Sequence, residues 1–160
     1  MSEDLSFQNI FEAFSTAAAR FGDKTAVIYL GTRFTYRDVM ALAENFAISL
    51  RGQGIAEGDR VILYLPNSVH WVVAWLGIQR AGAVVVPITP IYTDYDLKYI
   101  ANDSGASCVV CGDTNYGYVK QALPHTPLKK AMVSRLSDLL PWWKKFFGWA
   151  FDKVPTGKIG

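Results

Sequence analysis

A chain of 160 residues with 51% hydrophobic and 19% charged residues is long enough to bury one core and too apolar to be disordered. Its formal charge of +2 is small and mixed along the chain, which argues against nucleic acid as a partner. No apolar run approaches the ~18 uncharged residues of a spanning helix, the opening Met1-Ser2-Glu3-Asp4 is acidic where a secretory signal would be basic, and two cysteines are few for a secreted disulfide scaffold, so a cytoplasmic location is expected.

In chain order, "FQNIFEAFSTAAARFG" sets Phe7, Ile10, Phe11 and Phe14 at helical spacing and stops at Gly22. "TAVIYL" is a short β-rich run ended by Gly31. "FTYRDVMALAENFAISLRGQG" opens with Thr35 as cap and Asp38 three residues on. Its apolar positions Val39, Leu42, Ala43, Phe46, Ala47 and Leu50 then recur every three or four residues. "RVILYLP" is a continuously apolar strand closed by Pro66. A helix capped by Ser68 follows in "SVHWVVAWLGIQRAG" and is apolar nearly all round, as a buried helix is. "AVVVP" is a second apolar strand, and "TDYDLKYIANDSG" a helix capped by Thr93 with acids in its first turn. "SCVVC", a helix through "YGYVKQAL" and "KKAMVS" complete the alternation.

Strands apolar on both faces, each separated by one helix, indicate a mainly parallel sheet covered on both sides, that is, a doubly wound α/β layer structure. The sheet-forming portion is expected over residues 1–135, with an aromatic segment and loop over 136–160. Cys108 and Cys111 form a CxxC, but Val109 and Val110 place it on a strand, where side chains three apart point to opposite faces. Two structural thiols are expected instead of a redox or metal pair. Neither His70 nor His125 has a sequence neighbour that would make it a base or a ligand.

Several positions carry physical roles of their own. Gly58-Asp59 is a tight entry into a buried strand, and Gly82 closes a helix against the next strand without room for a side chain. Pro87 and Pro90 stiffen the exit from that strand, giving the loop with Ile88, Thr89 and Tyr92 a fixed path. Ligands of doubly wound sheets lie at such carboxyl-terminal exits. The loop reads either as a site wall or as a rigid connection.

The blocks "GDKTAVI", "RFTYRDVMALAENFAISLRGQGIAEGDRVILYLPNS" and "LGIQRAGAVVVPITPIYTDYDLKYIANDSGASCVV" resemble the opening of the AMP-forming acyl-CoA synthetases, in the adenylate-forming superfamily. The resemblance runs from about Phe7 to about Val133 and is strongest to long-chain fatty-acid–CoA ligases. Arg80 stands where that family commonly has lysine, Thr89 where asparagine often precedes the proline, and His70 where an acid is frequent. The resemblance implies the first part of the family's large N-terminal domain. It also implies a parent enzyme that uses ATP, Mg²⁺ and CoA to convert a fatty acid to an acyl-adenylate and then a thioester. In that family the working parts are a Ser/Thr/Gly-rich phosphate loop, an acidic motif and a lysine in a small C-terminal domain. This chain has no run of Gly, Ser and Thr amides to cradle phosphate. No catalytic, cofactor-binding or metal-ligating residue is therefore expected in it, and the chain alone should be inactive.

The closing string "VPTGKI" looks like the family's catalytic-lysine string. It follows the first α/β portion directly and lacks P-loop spacing, so Lys158 is expected to be a solvated loop lysine. In "LSDLLPWWKKFFGWAFDKV", Leu139, Trp142, Trp143, Phe146, Phe147 and Ala150 share one helical face, with Lys144, Lys145, Gly148 and Asp152 opposite. Two readings stay open: a helix packed on further parts of the enzyme, or one lying in a membrane interface. Under the first reading Trp142, Trp143, Phe146 and Phe147 would support self-association of the chain, and under the second the segment would bind anionic vesicles. Two other functional readings remain beside the ligase: a stand-alone nucleotide-binding domain of flavodoxin-like or Rossmann type, and a non-catalytic interaction module. The single glycine of "YLGTRF" counts against the former.

Overall fold

The computed structural model describes residues 9–135 and 137–139. The expectations for Lys158 and for Trp142 through Ala150 fall outside these residues.

Helix α1 spans Ile10–Phe21, and the Asn9 side chain caps it by accepting from the Glu12 amide at 2.9 Å. Strands β1 (Thr25–Tyr29) and β2 (Thr32–Thr35) form an antiparallel hairpin. Leu30 and Gly31 turn it with φ of 46° and 68°, both left-handed, as a two-residue hairpin of the primed type requires. The sequence pattern gives β1 but not β2, and β1 stands apart from the parallel sheet. "TRFT" is only four residues long and runs straight into the cap of α2, so it has no strand period of its own.

Helix α2 spans Tyr36–Gly52 and starts at the expected cap: the Asp38 amide donates to Thr35 Oγ1 at 3.1 Å, and the Thr35 amide donates to Asp38 Oδ2 at 2.9 Å. Then come β3 (Arg60–Tyr64), α3 (Val69–Arg80), β4 (Val84–Pro87), α4 (Asp94–Ser104), β5 (Cys108–Gly112), α5 (Tyr116–Ala122) and β6 (Lys130–Ser134). The four strands β3 to β6 make a wholly parallel sheet in the order β4-β3-β5-β6.

Alternation along β3 and β5 divides two cores between the faces. Val61, Leu63, Cys108 and Val110 pack with Ala47 and Leu50 of α2 and Ala74 and Ile78 of α3. Ile62, Tyr64, Val109 and Cys111 pack with Leu97 and Ala101 of α4 and Val119 and Ala122 of α5. Helices thus cover both faces, as the doubly wound reading expects. The cysteines also separate onto opposite faces, and burial raises their ionisation to about 11 for Cys108 and about 12 for Cys111. Both are held as inert thiols.

A third cluster ties the amino-terminal elements on. Phe34, Val39, Ala43, Val69, Val73 and Leu76 are its buried members, with Phe11 and Phe14 of α1 against them. The Phe11 amide donates to Gln79 Oε1 at 3.2 Å, and the Arg80 guanidinium lies 5.5 Å from the Phe11 ring centre. A planar guanidinium stacks on an aromatic ring better than the ammonium that lysine would bring.

Two glycines set close approaches. Gly82 has φ of 84° and packs against Glu57, where a Cβ would meet Cγ at 3.2 Å, so both backbone and space require glycine. Gly77 lies where α3 crosses α2, and a Cβ there would meet Phe46 Cδ1 at 2.7 Å and the Ala43 carbonyl at 2.9 Å. Alanine is the better helix former by about 1 kcal/mol. Gly77→Ala should nonetheless destabilise the chain by roughly 1–3 kcal/mol, because the α2 backbone cannot yield. Urea unfolding reads this directly, and a gain in stability would show that the two helices are not in contact through this residue.

Candidate functional site

In the order β4-β3-β5-β6 the chain leaves β3 toward β4 on one side and passes from β5 to β6 on the other. The exits of β3 and β5 therefore diverge over opposite faces and leave a crevice at their carboxyl ends, the usual ligand position in such sheets. Three segments leave the carboxyl ends of these strands: Leu65 to Ser68 after β3, the β4 exit through Tyr92, and Gly112 to Asn115 after β5.

The β4 exit loop is tied down from below. The Ile88 amide donates to the Leu63 carbonyl at 3.0 Å, continuing the sheet by one rung. Tyr64, fully buried at the end of β3, donates its hydroxyl to the Tyr92 carbonyl. Burial raises its ionisation above the usual range, so it remains a donor. Asn115, buried after β5, donates from Nδ2 to the Pro90 carbonyl at 2.8 Å. Two side chains from the strands that flank the crevice thus grip two carbonyls of one loop, and Pro87 and Pro90 stiffen it from within.

Of the residues flagged in the loop, Ile88 is buried as its anchor, Thr89 is half-buried and Tyr92 is exposed. The loop presents Ile91 at 83% exposure, and Tyr95 follows on α4 at 79%, giving an apolar face beside the crevice. Tyr64 and Asn115 carry no sequence signal for this task, since each meets a carbonyl 28 or 25 residues away. Asp113 is also buried here, and its Oδ1 accepts from the Thr114 amide at 2.9 Å.

The two histidines differ. His125 is exposed after α5, where its carbonyl accepts from Asn102 Nδ2 at 3.1 Å. His70, the second residue of α3, is only 6% exposed, and neither ring nitrogen has a partner among the described residues. Its ring stands edge-on to Tyr29 at 5.8 Å. Burial lowers its proton affinity, opposed by the Asp138 carboxylate, so it is a neutral imidazole. It lines an apolar pocket of about 330 Å³ on the α2–α3 side of the strand exits, with Leu42, Phe46, Leu65, Val73, Val110 and Leu139 among the other walls.

Among the described residues no group of three or more His, Cys, Asp or Glu is placed to hold a metal ion. None of their helices is long and apolar enough to cross a membrane. The β4 exit loop is a wall held by hydrogen bonds from the ends of both neighbouring strands.

A family model described as AMP-binding enzyme matches residues 14–147. The chain is 33% identical over 135 residues to a long-chain-fatty-acid–CoA ligase of Salmonella typhimurium, covering 84% of this chain and 24% of that protein. It is 31% identical over 126 residues to the ligase of the same name from Bacillus subtilis, covering 79% and 22%. In structure it is similar to the Mycobacterium tuberculosis fatty acyl CoA synthetase, with a TM-score of 0.73 at 30% identity over 79% of this chain and 26% of the other. The chain therefore spans about a quarter of the length of the curated relatives it matches.

Replacing Tyr64 by Phe keeps the buried ring and deletes only the hydroxyl that holds Tyr92. This should cost about 0.5–1.5 kcal/mol of stability and speed amide exchange at Thr89 and Tyr92, while the β3 and β5 amides stay protected. Exchange at those loop amides no faster than wild type would mean that the prolines alone fix the loop.

Proposed function

Because this chain belongs to the AMP-binding enzyme family, we propose that it is the opening portion of an AMP-forming ligase that activates a medium- or long-chain fatty acid. The parent enzyme joins the carboxylate to the α-phosphate of ATP, with release of pyrophosphate, and then transfers the acyl group to CoA. The observation that carries this reading is the 33% identity to a long-chain-fatty-acid–CoA ligase over 135 residues, 84% of this chain. A cytoplasmic location accords with these substrates.

Within that enzyme, residues 1–135 act as scaffold and wall, and 136–160 lead toward the remainder. The pinned β4 exit loop offers Ile91 and Tyr92 as a fixed surface against which other parts of the enzyme close. ATP and Mg²⁺ are read as ligands of the parent enzyme, held mainly by parts beyond the strand exits described here, which carry no run of glycine and hydroxyl residues.

The test compares the full parent protein with the 160-residue chain in fatty-acid-dependent exchange of pyrophosphate into ATP. The parent should exchange with medium- or long-chain fatty acids, and the chain alone should stay at background. Exchange by the chain alone would put the reaction centre among these residues. A parent active only with aryl acids would remove the fatty-acid assignment.

A further inference from the structure

The apolar pocket on the α2–α3 side of the strand exits holds one group that its walls do not satisfy. His70 is only 6% exposed, and neither of its buried ring nitrogens has a hydrogen-bond partner among the described residues. A neutral imidazole carries one N–H to donate and one nitrogen to accept with, so two bonds go unmade at the pocket wall. Burying such groups unpaired is destabilising, and a ligand that pairs with one of them recovers part of that loss. Tyr29 meets the imidazole ring to ring and supplies neither bond.

The remaining walls set the shape and charge of what fits. Leu42 and Phe46 of α2, Leu65 after β3, Val73 of α3 and Val110 of β5 present apolar side chains to the space. Its volume of about 330 Å³ is roughly twice that of a dry cavity of about 150 Å³ that holds benzene, so two fused rings can enter. Mostly apolar walls with a few placed polar groups are the usual make-up of a small-molecule site. Acids are disfavoured. The Asp138 carboxylate lines the same pocket, held by accepting from the Arg135 amide at 2.8 Å, and burial keeps the imidazole uncharged. No lysine or arginine is among the described residues of the wall.

We propose that this pocket binds an uncharged aromatic molecule bearing a hydroxyl group, whose rings pack among α2, α3 and the strand ends and whose O–H donates to the accepting nitrogen of His70. The apolar body supplies most of the affinity, and the hydroxyl selects among bodies of similar shape. The inference is independent of the ligase reading, because it uses only the pocket, the unpartnered ring and the carboxylate beside it. It also keeps the site apart from a fatty acid's carboxylate, which Asp138 would repel.

The experiment titrates the isotope-labelled 160-residue chain with a naphthol, and separately with naphthalene and a naphthoate. The naphthol should bind saturably, with nuclear Overhauser contacts to the Leu65 and Val73 methyls, and move the His70 ring nitrogens while those of His125 hold still. Naphthalene should bind about tenfold more weakly, the worth of one hydrogen bond at a buried acceptor, and the naphthoate more weakly than the naphthol. In His70→Leu the naphthol should lose its advantage over naphthalene, with unchanged β3 amide positions showing that the sheet is intact. No binding, binding that leaves the His70 nitrogens unmoved, or an advantage that persists in His70→Leu would overturn the proposal. So would a naphthoate that binds tightest. Contacts from the Leu65 and Val73 methyls to another part of the chain without any probe would show a pocket already filled, and would overturn it too.

Discussion

The structure depends on β3 being buried on both faces at once. Val61, Ile62, Leu63 and Tyr64 are all inaccessible to solvent, and alternate members face different cores. Fully burying side chains of this size stabilises by roughly 1.5–3 kcal/mol each, which only a strand covered by two helical layers can collect. This one strand has β4 on one side and β5 on the other. The opposite exits of β3 and β5, and so the crevice between them, arise from its central place.

Tyr64 links that packing to the site. Its ring belongs to the core beneath α4 and α5, and its hydroxyl emerges at the strand end to hold Tyr92. The loop is therefore positioned by a strand that is fully buried from Val61 to Tyr64. Asn115 does the same from the end of β5.

The sequence makes the helices and the parallel strands legible because their signals are local. Thr35 with Asp38 and Thr93 with Asp96 mark helix starts, and each pair bonds as its spacing suggests. Apolar runs such as "RVILY" mark strands buried on both faces. β2 escaped because four residues that end in a helix cap leave no period to detect. The anchoring roles of Tyr64 and Asn115 escaped for a different reason. Each acts on a carbonyl brought near only by strand order, and strand order is a property of the assembled sheet. His70 shows the same limit, since its lack of sequence partners is visible but its burial in an apolar pocket is not. The loop at Ile88 to Tyr92 is the rigid connection that its prolines suggest, held at Tyr92 and Pro90 by Tyr64 and Asn115.

Native-state hydrogen exchange on the 160-residue chain measures most directly whether β3 organises the molecule. The amides of Ile62, Leu63 and Tyr64 should exchange only through global unfolding, with the same free energy as the denaturant transition and together with Val109 and Val110 of β5. Exchange of the β3 amides at a lower free energy than those of α1 or the β1–β2 hairpin would contradict the account, because the strand placed at its centre would then open before the periphery.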